Sequence, residues 1–423
     1  MTSQRHLSSV IPPLLRNVDF RRFWTGQTIS VFGDQISFLA LPLAAVLVLD
    51  ASAAEMGLLG AANLIPHLLL SLPVGVWVDR LAHRRRVMIW ADLGRALLLG
   101  SVPLAYALDV LAIGQLYLVA FLTGCLTVLF DISYSTVFVS VTPERRYVEA
   151  NSLLHGSRSL SSVGGPALAG GLVQLLSAPA TLLADAISFL GSAFFLSRVR
   201  ATEPALEPEA DGRIRARVAS GFRFIFGSPI LRASLACVAT INFFNFMFWA
   251  LFVLFTTRTL DVGPGELGTV LAAAGVGGVI GALIAGRLGR RIGVGPAYIL
   301  GCALFPAPLL LVPLAGGPHL LVVVMLFTAE FLSSIGVMIL DINGNSIQTA
   351  ITPDRFRARA AGAHRFVNYG VRPLGSLAGG FVGAAIGLRP TLWIAAAGAI
   401  AGLLWLLPSP IRQLRELPET AEG

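Results

Sequence analysis

The sequence contains no lysine, few charged residues and only three cysteines. All 31 basic residues are therefore arginines, and charged residues make up 13% of the 423 positions. Soluble domains carry roughly twice that charged share. The three cysteines stand alone in apolar runs, without the paired spacing of a metal or redox site. We predict no disulfide framework, no metal site and no cofactor.

Sequence motifs of intramembrane and nucleotide-driven enzymes are missing as well. The chain has no HExxH, G-x-S-G or G-x-G-D pattern and no phosphate-binding P-loop. We therefore predict that the protein is not an enzyme, with no catalytic residues and no direct use of ATP. A net charge of +8 would suggest nucleic-acid binding on a soluble protein. Here the arginines flank apolar segments, so we expect no nucleic-acid partner.

What the sequence has in abundance is apolar surface. Hydrophobic residues make up 55% of the chain and the mean hydropathy is +0.76, more than one soluble core can bury. A run of about 20 apolar residues crosses the hydrocarbon core as a helix. Twelve such spans are predicted, at 23–49, 55–77, 87–108, 111–139, 151–175, 179–198, 231–258, 266–287, 294–315, 318–345, 358–386 and 389–407.

The distribution of arginine predicts the orientation of these spans. Connections on one side carry clusters such as Arg84 to Arg86 and Arg290-Arg291, whereas those on the other side hold only Arg258 and Arg389. By the positive-inside rule, both termini and the central connection are cytoplasmic. We expect a multi-pass protein of the cell inner (plasma) membrane, surrounded by the lipid bilayer, whose first span is its own uncleaved insertion signal.

The two halves of the chain repeat each other at an offset of about 210 residues. Glu-Met-Gly at 55–57 recurs as Glu-Leu-Gly at 266–268, and Gly170-Gly171 recurs as Gly379-Gly380. Because each half holds an even number of spans, both enter the membrane in the same direction. Parallel repeats are a transporter architecture with a site between the halves. We predict an all-α membrane protein of twelve helices in two parallel six-helix repeats.

The predicted organisation has three parts. A six-helix bundle at 1–198 and a second at 231–423 flank a cytoplasmic linker at 199–230. Part of the linker is typical of an amphipathic helix lying at the membrane surface, and the alternative is a plain solvated connection. The residues that share its apolar face are Ile214, Val218, Phe222 and Ile225.

Three ionisable residues lie deep in predicted spans. Asp34 and Glu330 are each roughly 16 Å along their spans at 1.5 Å per residue, and Arg372 is at similar depth. Charges at this depth are costly and mark transport pathways, and burial favours the protonated form of a carboxyl, as a proton carrier requires. We predict proton coupling at Asp34 first and at Glu330, which could pair with Arg372. The alternative for each carboxyl is a structural hydrogen bond between helices.

Other charged residues in the spans are predicted to be structural. Asp92 and Arg95, three residues apart, are expected to form an ion pair near the cytoplasmic end of the third span. Asp185, Asp341 and Arg158 are expected nearer the membrane faces, in structural pairs.

The loop after the second span resembles the signature of the major facilitator superfamily, G-x-x-x-D-R-x-G-[RK]-[RK]. Two positions depart from it, since Ala82 replaces the second glycine and His83 the first basic residue. The resemblance implies a gating role in which these residues close the cytoplasmic side, and the alternative is topological anchoring alone. The residues implied in gating are Gly75, Asp79, Arg80, Arg84, Arg85 and, as the acidic partner on the fourth span, Asp131.

Two further segments resemble exporters of this superfamily. Gly165-Pro166 and Gly170-Gly171 in the fifth span resemble the antiporter motif G-x-x-x-G-P-x-x-G-G, with Ser161 and Ala169 departing from it. The N-terminal stretch at 19–34 resembles the branch that holds enterobactin exporters and macrolide efflux proteins.

The resemblance implies transport by alternating access, with proton-coupled efflux of a drug-like or siderophore-like amphipathic small molecule. We expect a monomer whose partners are the small molecule and protons. A proton-coupled importer of a small nutrient is the closest alternative, and a non-transporting receptor on the same fold is the more distant one.

The seventh span is expected to face the cavity of such a fold. Residues 242–249 read Asn-Phe-Phe-Asn-Phe-Met-Phe-Trp, and aromatic rings with a few amides suit a large amphipathic ligand. The alternative is that the phenylalanines face lipid. The predicted substrate contacts are Asn242, Asn245, Trp249, Asn368 and Tyr369.

Overall fold

The computed structural model describes residues 12–79, 83–200 and 214–417, and within these ranges the chain is helical with no strand. The first half consists of six long helices that match the first six predicted spans. These are α1 (Val18–Leu47), α2 (Ala53–Asp79), α3 (Arg84–Ala107), α4 (Ile113–Val141), α5 (Tyr147–Leu176) and α6 (Ala178–Ser197).

The second half begins after a connecting helix, α7 (Ile214–Gly227). Its Phe222, Phe224 and Ile225 pack against Leu231 and Leu235, and against Ala360 and Ala363. The side chains of Ile214 and Val218, part of its predicted apolar face, lie outside the described residues. The helices that follow are α8 (Pro229–Arg258), α9 (Pro264–Ile292), α10 (Val294–Leu304), α11 (Leu311–Leu314), α12 (His319–Ile351), α13 (Asp354–Ile386) and α14 (Leu388–Ala401).

The predicted all-α membrane architecture is confirmed. Among the described residues, eleven helical segments are long and apolar enough to cross a membrane. The remaining predicted span, α13, is not among these segments, but it packs along α2, α8 and α14 inside the bundle. The ninth span is a single run in the sequence but is broken into α10, a 3-10 turn and α11, since Pro306 and Pro308 lack the amide hydrogens that a continuous helix needs.

The glycines that recur in the two halves lie where helices of one half touch helices of the other. A Cβ on Gly57 of α2 would stand 2.6 Å from Cα of Gly380 on α13, and a Cβ on Gly170 of α5 would stand 2.9 Å from Cα of Gly268 on α9. In these contacts Gly268 takes the place of Gly57 and Gly380 takes the place of Gly170, which shifts the sequence alignment of the two Gly-Gly pairs by one residue. The two crossings are therefore one contact made twice, and only glycine lets the backbones approach so closely.

The packing of the apolar core shows which side of the molecule is closed. We call the side where α1 begins arginine-rich and the side where α1 ends arginine-poor. Toward the arginine-poor side, one continuous core joins both halves, for example Leu43 and Met56 with Leu251 and Leu267. Toward the arginine-rich side, the cores of the two halves are separate as far as the structure describes the chain. The structure is therefore closed on the arginine-poor side and open on the arginine-rich side.

An ion pair links the halves at the closed side. Nη2 of Arg258, at the end of α8, lies 3.0 Å from Oδ1 of Asp50 in the loop after α1. We expect Arg258→Ala to raise the population opened on the arginine-poor side by about twofold to fivefold, because exposed ion pairs contribute little. The measurement is the labelling rate of a cysteine placed at Met56 in the shared core. Arg389→Ala is the control, since Arg389 bonds only within the second half, to the carbonyl of Pro313. Equal labelling in both variants would contradict the expectation.

Candidate functional site

A chamber lies between the two halves, and the core that both halves share closes it on the arginine-poor side. Its volume is about 440 Å³, and its wall is mostly apolar. Trp249 of α8 crosses toward α1, where its ring centroid is 5.9 Å from that of Phe38. The carboxyl of Asp34 and the amide of Asn245 interrupt this apolar wall. The other large side chains of the wall include Leu41, Met56, Leu59, Leu99, Phe189 and Phe246.

A charged cavity of about 510 Å³ adjoins the chamber on the side of the first half. Asp34 belongs to the walls of both. Its side chain is exposed to the cavity, and no hydrogen bond or ion pair engages it in the part of the chain that the structure describes. Asp131, Arg95, Arg158 and His155 share the same cavity. The carboxyl predicted for coupling is thus accessible to solvent and surrounded by charges.

Arg95 is the buried centre of this charge cluster. It pairs with Asp92 one turn earlier on α3, and the two side chains are 2% and 0% exposed. Its guanidinium lies 4.6 Å from the ring centroid of Phe130 and 4.1 Å from that of Phe189. The predicted ion pair is confirmed, but its predicted place was wrong. Arg95 lies about 16 Å along α3, where its side chain reaches the cavity of Asp34.

The remaining charged residues divide into two kinds. Asp185 is buried and accepts hydrogen bonds from Ser37 of α1 and from Ser188, the latter at 2.8 Å, which is the structural role expected of it. Asp341 and Arg158 were expected in structural pairs near the membrane faces. Instead, both are exposed in cavity walls, because the space between the halves reaches deep into the membrane.

A polar cavity of about 440 Å³ lies on the side of the second half and contains Glu330 and Arg372. Glu330 is 4% exposed, and its Oε1 has no hydrogen-bond partner among the described residues. Arg372 lies 4.6 Å from the ring centroid of Tyr369 and 5.1 Å from that of Phe246. These two described residues form no ion pair in this state, so the pairing that their depth allowed is absent here.

Four of the five predicted substrate contacts line this polar cavity. Asn242 donates to Asn368 Oδ1 at 3.0 Å, and Asn368 in turn bonds His364 at 2.9 Å. Asn245 and Trp249 belong to the walls of both the polar cavity and the apolar chamber. Tyr369 lies outside the described wall, because its ring stacks on His67 of the first half with centroids 6.0 Å apart. The chemical role of all five stays a prediction.

The gating residues are only partly within the described structure. Arg80 and the side chains of Gly75 and Asp79 lie outside it. Arg84 donates to Thr136 Oγ1 of α4 at 3.0 Å, and Arg85 donates to the carbonyl oxygens of Ser197, at 3.3 Å, and Val199. Asp131, their predicted acidic partner, lines the charged cavity. The gating role stays a prediction.

The residues of the antiporter-like motif serve close packing. Gly165 admits the side chain of Gln35 from α1, whose Cγ would lie 2.9 Å from an added Cβ. Gly170 and the carbonyl of Pro166 meet Gly268 of α9. Gly171 has open space within 4 Å of its Cβ position among the described residues.

Sequence comparisons give consistent results. The family model for transmembrane secretion effectors matches residues 8–422. An uncharacterized MFS-type transporter of Bacillus subtilis strain 168, YfiS, is 30% identical over 332 residues, which is 77% of this chain and 73% of that protein. The multidrug efflux pump Tap of Mycolicibacterium fortuitum is 29% identical over 384 residues, 85% of this chain and 88% of the pump.

Solved structures share the fold. A bacterial homologue of the iron transporter ferroportin, in an inward-facing state, superposes with a TM-score of 0.76 at 17% identity, covering 94% of this chain and 99% of that one. The nucleoside transporter NupG gives 0.68 at 12% identity, covering 92% and 98%. Because the identities are low, these two likenesses establish architecture alone.

Proposed function

The chain belongs to the transmembrane secretion effector family of the major facilitator superfamily, whose members are transporters and not enzymes, and from that premise we propose that it exports amphipathic, drug-like small molecules in exchange for protons. Siderophore-like compounds fall within the same chemical range. We place the arginine-rich side in the cytoplasm, so that the state seen here is open inward.

The observation that carries this proposal is the composition of the chamber. Trp249, Phe246 and Phe38 offer broad apolar faces, and the polar side chains of the wall, such as Asn63, Thr123 and Asn245, make up a smaller part of its surface. Such a surface favours ligands by shape and apolar area, which suits several related compounds rather than one nutrient. Asp34 is part of the mostly apolar chamber wall and places a titratable group beside the ligand. The relationship to the Tap pumps supports the same direction of transport.

Proton exchange is proposed from the position of Asp34 in both spaces. A carboxyl that borders the ligand chamber and the charged cavity can bind a proton or contact the ligand, and the two events then exclude each other. An exchange of this kind lets the proton gradient drive the ligand outward, at about 2.3 kcal/mol per charge per 100 mV.

The test is ethidium accumulation in a bacterium lacking its main efflux systems. We expect cells that express the protein to hold less ethidium than vector controls, and a protonophore to abolish the difference. Inside-out vesicles energised by respiration should take the dye up and release protons from the lumen. Greater accumulation in the expressing cells would instead identify an importer, and a difference that survives the protonophore would contradict proton exchange.

A further inference from the structure

A gap opens sideways between α5 and α9, the two helices that join the halves on one side of the chamber. It holds about 410 Å³. Its inner end is formed by Phe38 and Trp249, which also line the chamber, so the gap and the chamber adjoin at these two side chains. The walls of the gap are mostly small or apolar residues, including Ser159, Ser162, Pro166, Gly275, Gly278, Val279 and Ala282.

The gap begins where the close contact of α5 and α9 ends. Toward the arginine-poor side, Gly170 meets Gly268, and at mid-membrane Gly275 lies against the backbone of Ser162. One turn further, the neighbour of Gly278 is Ser334 Oγ of its own half, 3.2 Å from an added Cβ, and no longer α5. Beyond Gly275 the two helices therefore separate, toward the leaflet on the arginine-rich side.

Among the residues that the structure describes, the equivalent crossing on the other side of the chamber differs from this gap. The offset that relates Gly57 to Gly268 also relates His67 to Gly278. The offset that relates Gly170 to Gly380 also relates Ser159 to Tyr369. At the crossing of α2 and α13, the rings of His67 and Tyr369 stack at an interplanar angle of 6°. The adjacent Leu68 lies 3.6 Å from the Cβ position of Gly370. One crossing is thus filled by two rings, whereas the other has a glycine and a serine in their place.

We propose that this gap is a side entrance, through which amphiphiles dissolved in the leaflet on the arginine-rich side reach the chamber. The proposal rests on the proposed export function and adds that the substrates are compounds that partition into the bilayer. The opening lies at about 21 Å along α9, within the hydrocarbon region. A strongly hydrated solute is not stable there, because its polar groups would lose water without gaining partners. A membrane-dissolved amphiphile can instead move from lipid to aromatic chamber without passing through water.

The test fills the gap with the pair of rings that closes the opposite crossing. Gly278→His combined with Ser159→Tyr should lower efflux of Nile red, which concentrates in membranes, by at least about fivefold because bulky side chains overfill the gap. Efflux of ethidium, which reaches the chamber from water, should change less than about twofold. Ile280→His with Leu160→Tyr is the matched control at adjacent lipid-facing positions, 37% and 67% exposed, and should leave both dyes unaffected.

A second measurement does not depend on transport. Of the six tryptophans, Trp249 alone is kept, and its fluorescence is recorded in bilayers of lipids with brominated acyl chains. We expect quenching in the parent protein and its loss in the Gly278→His, Ser159→Tyr variant. Equal loss of efflux for both dyes, or a Trp249 that brominated lipid never quenches, would overturn the side entrance. If the parent protein exports neither dye, the export function fails, and the quenching alone decides whether the entrance exists.

Discussion

Asp34→Asn should abolish proton-driven export while leaving ligand binding in place. Asparagine keeps the size and hydrogen-bonding capacity of aspartate but cannot exchange a proton. Loss of one coupled proton removes about 2.3 kcal/mol per 100 mV of driving force, which lowers the attainable substrate gradient by about fiftyfold per 100 mV. The measurement is proton release from inside-out vesicles on addition of ethidium, alongside exchange of labelled for unlabelled dye without a gradient.

The two readouts separate coupling from folding. We expect the variant to exchange dye at nearly the parent rate and to release no protons. Asp109→Asn is the matched control, because Asp109 is exposed in the loop after α3 at φ +55°, a conformation that asparagine also tolerates. Proton release that persists in Asp34→Asn and disappears in Glu330→Gln would move the coupling role to the second half.

The architecture could be predicted from the sequence because each of its determinants is local. Apolar length sets a span, arginine content sets its orientation, and a repeated Glu-x-Gly or Gly-Gly marks equivalent helices. The repeat includes Gly57 and Gly268, but that they lie where two helix backbones touch became evident only from the structure. The break of the ninth span was missed, although Pro306 and Pro308 signal it, because membrane helices often tolerate proline.

The site was predicted less well because depth along a helix says nothing about rotation or neighbours. The spans predicted from the sequence put Asp34 and Glu330 at similar depth, yet one is exposed in a charged cavity and the other is buried, with a carboxyl oxygen that has no hydrogen-bond partner among the described residues. Asp131 faces the cavity of Arg95 in this open state, and its pairing with the loop arginines, expected when the arginine-rich side closes, stays a prediction. These differences depend on which helices meet between the halves, and no spacing within one span encodes that.

Arg95→Leu should destabilise the protein more than any other single change in the charge cluster. The substitution leaves the Asp92 carboxyl without its partner at a fully buried position, a change that typically costs about 3–5 kcal/mol. We expect a large fall in the temperature at which the detergent-solubilised protein loses its fold, measured by the unmasking of its buried cysteines. Arg158→Leu is the control, since Arg158 is exposed in the same cavity and should change the transition far less.

A double substitution separates the structural and functional roles of Arg95. Asp92→Asn with Arg95→Gln removes both charges and keeps two groups able to bond each other, so most of the stability should return. Transport should not return, because Asp34 interacts electrostatically with Arg95, and the only buried cation of the cluster among the described residues is then gone. A double variant that is as unstable as Arg95→Leu would show that the cation–π contacts with Phe130 and Phe189, and not the ion pair, hold this helix. A stable double variant that exports normally would show that the charge of Arg95 serves folding alone.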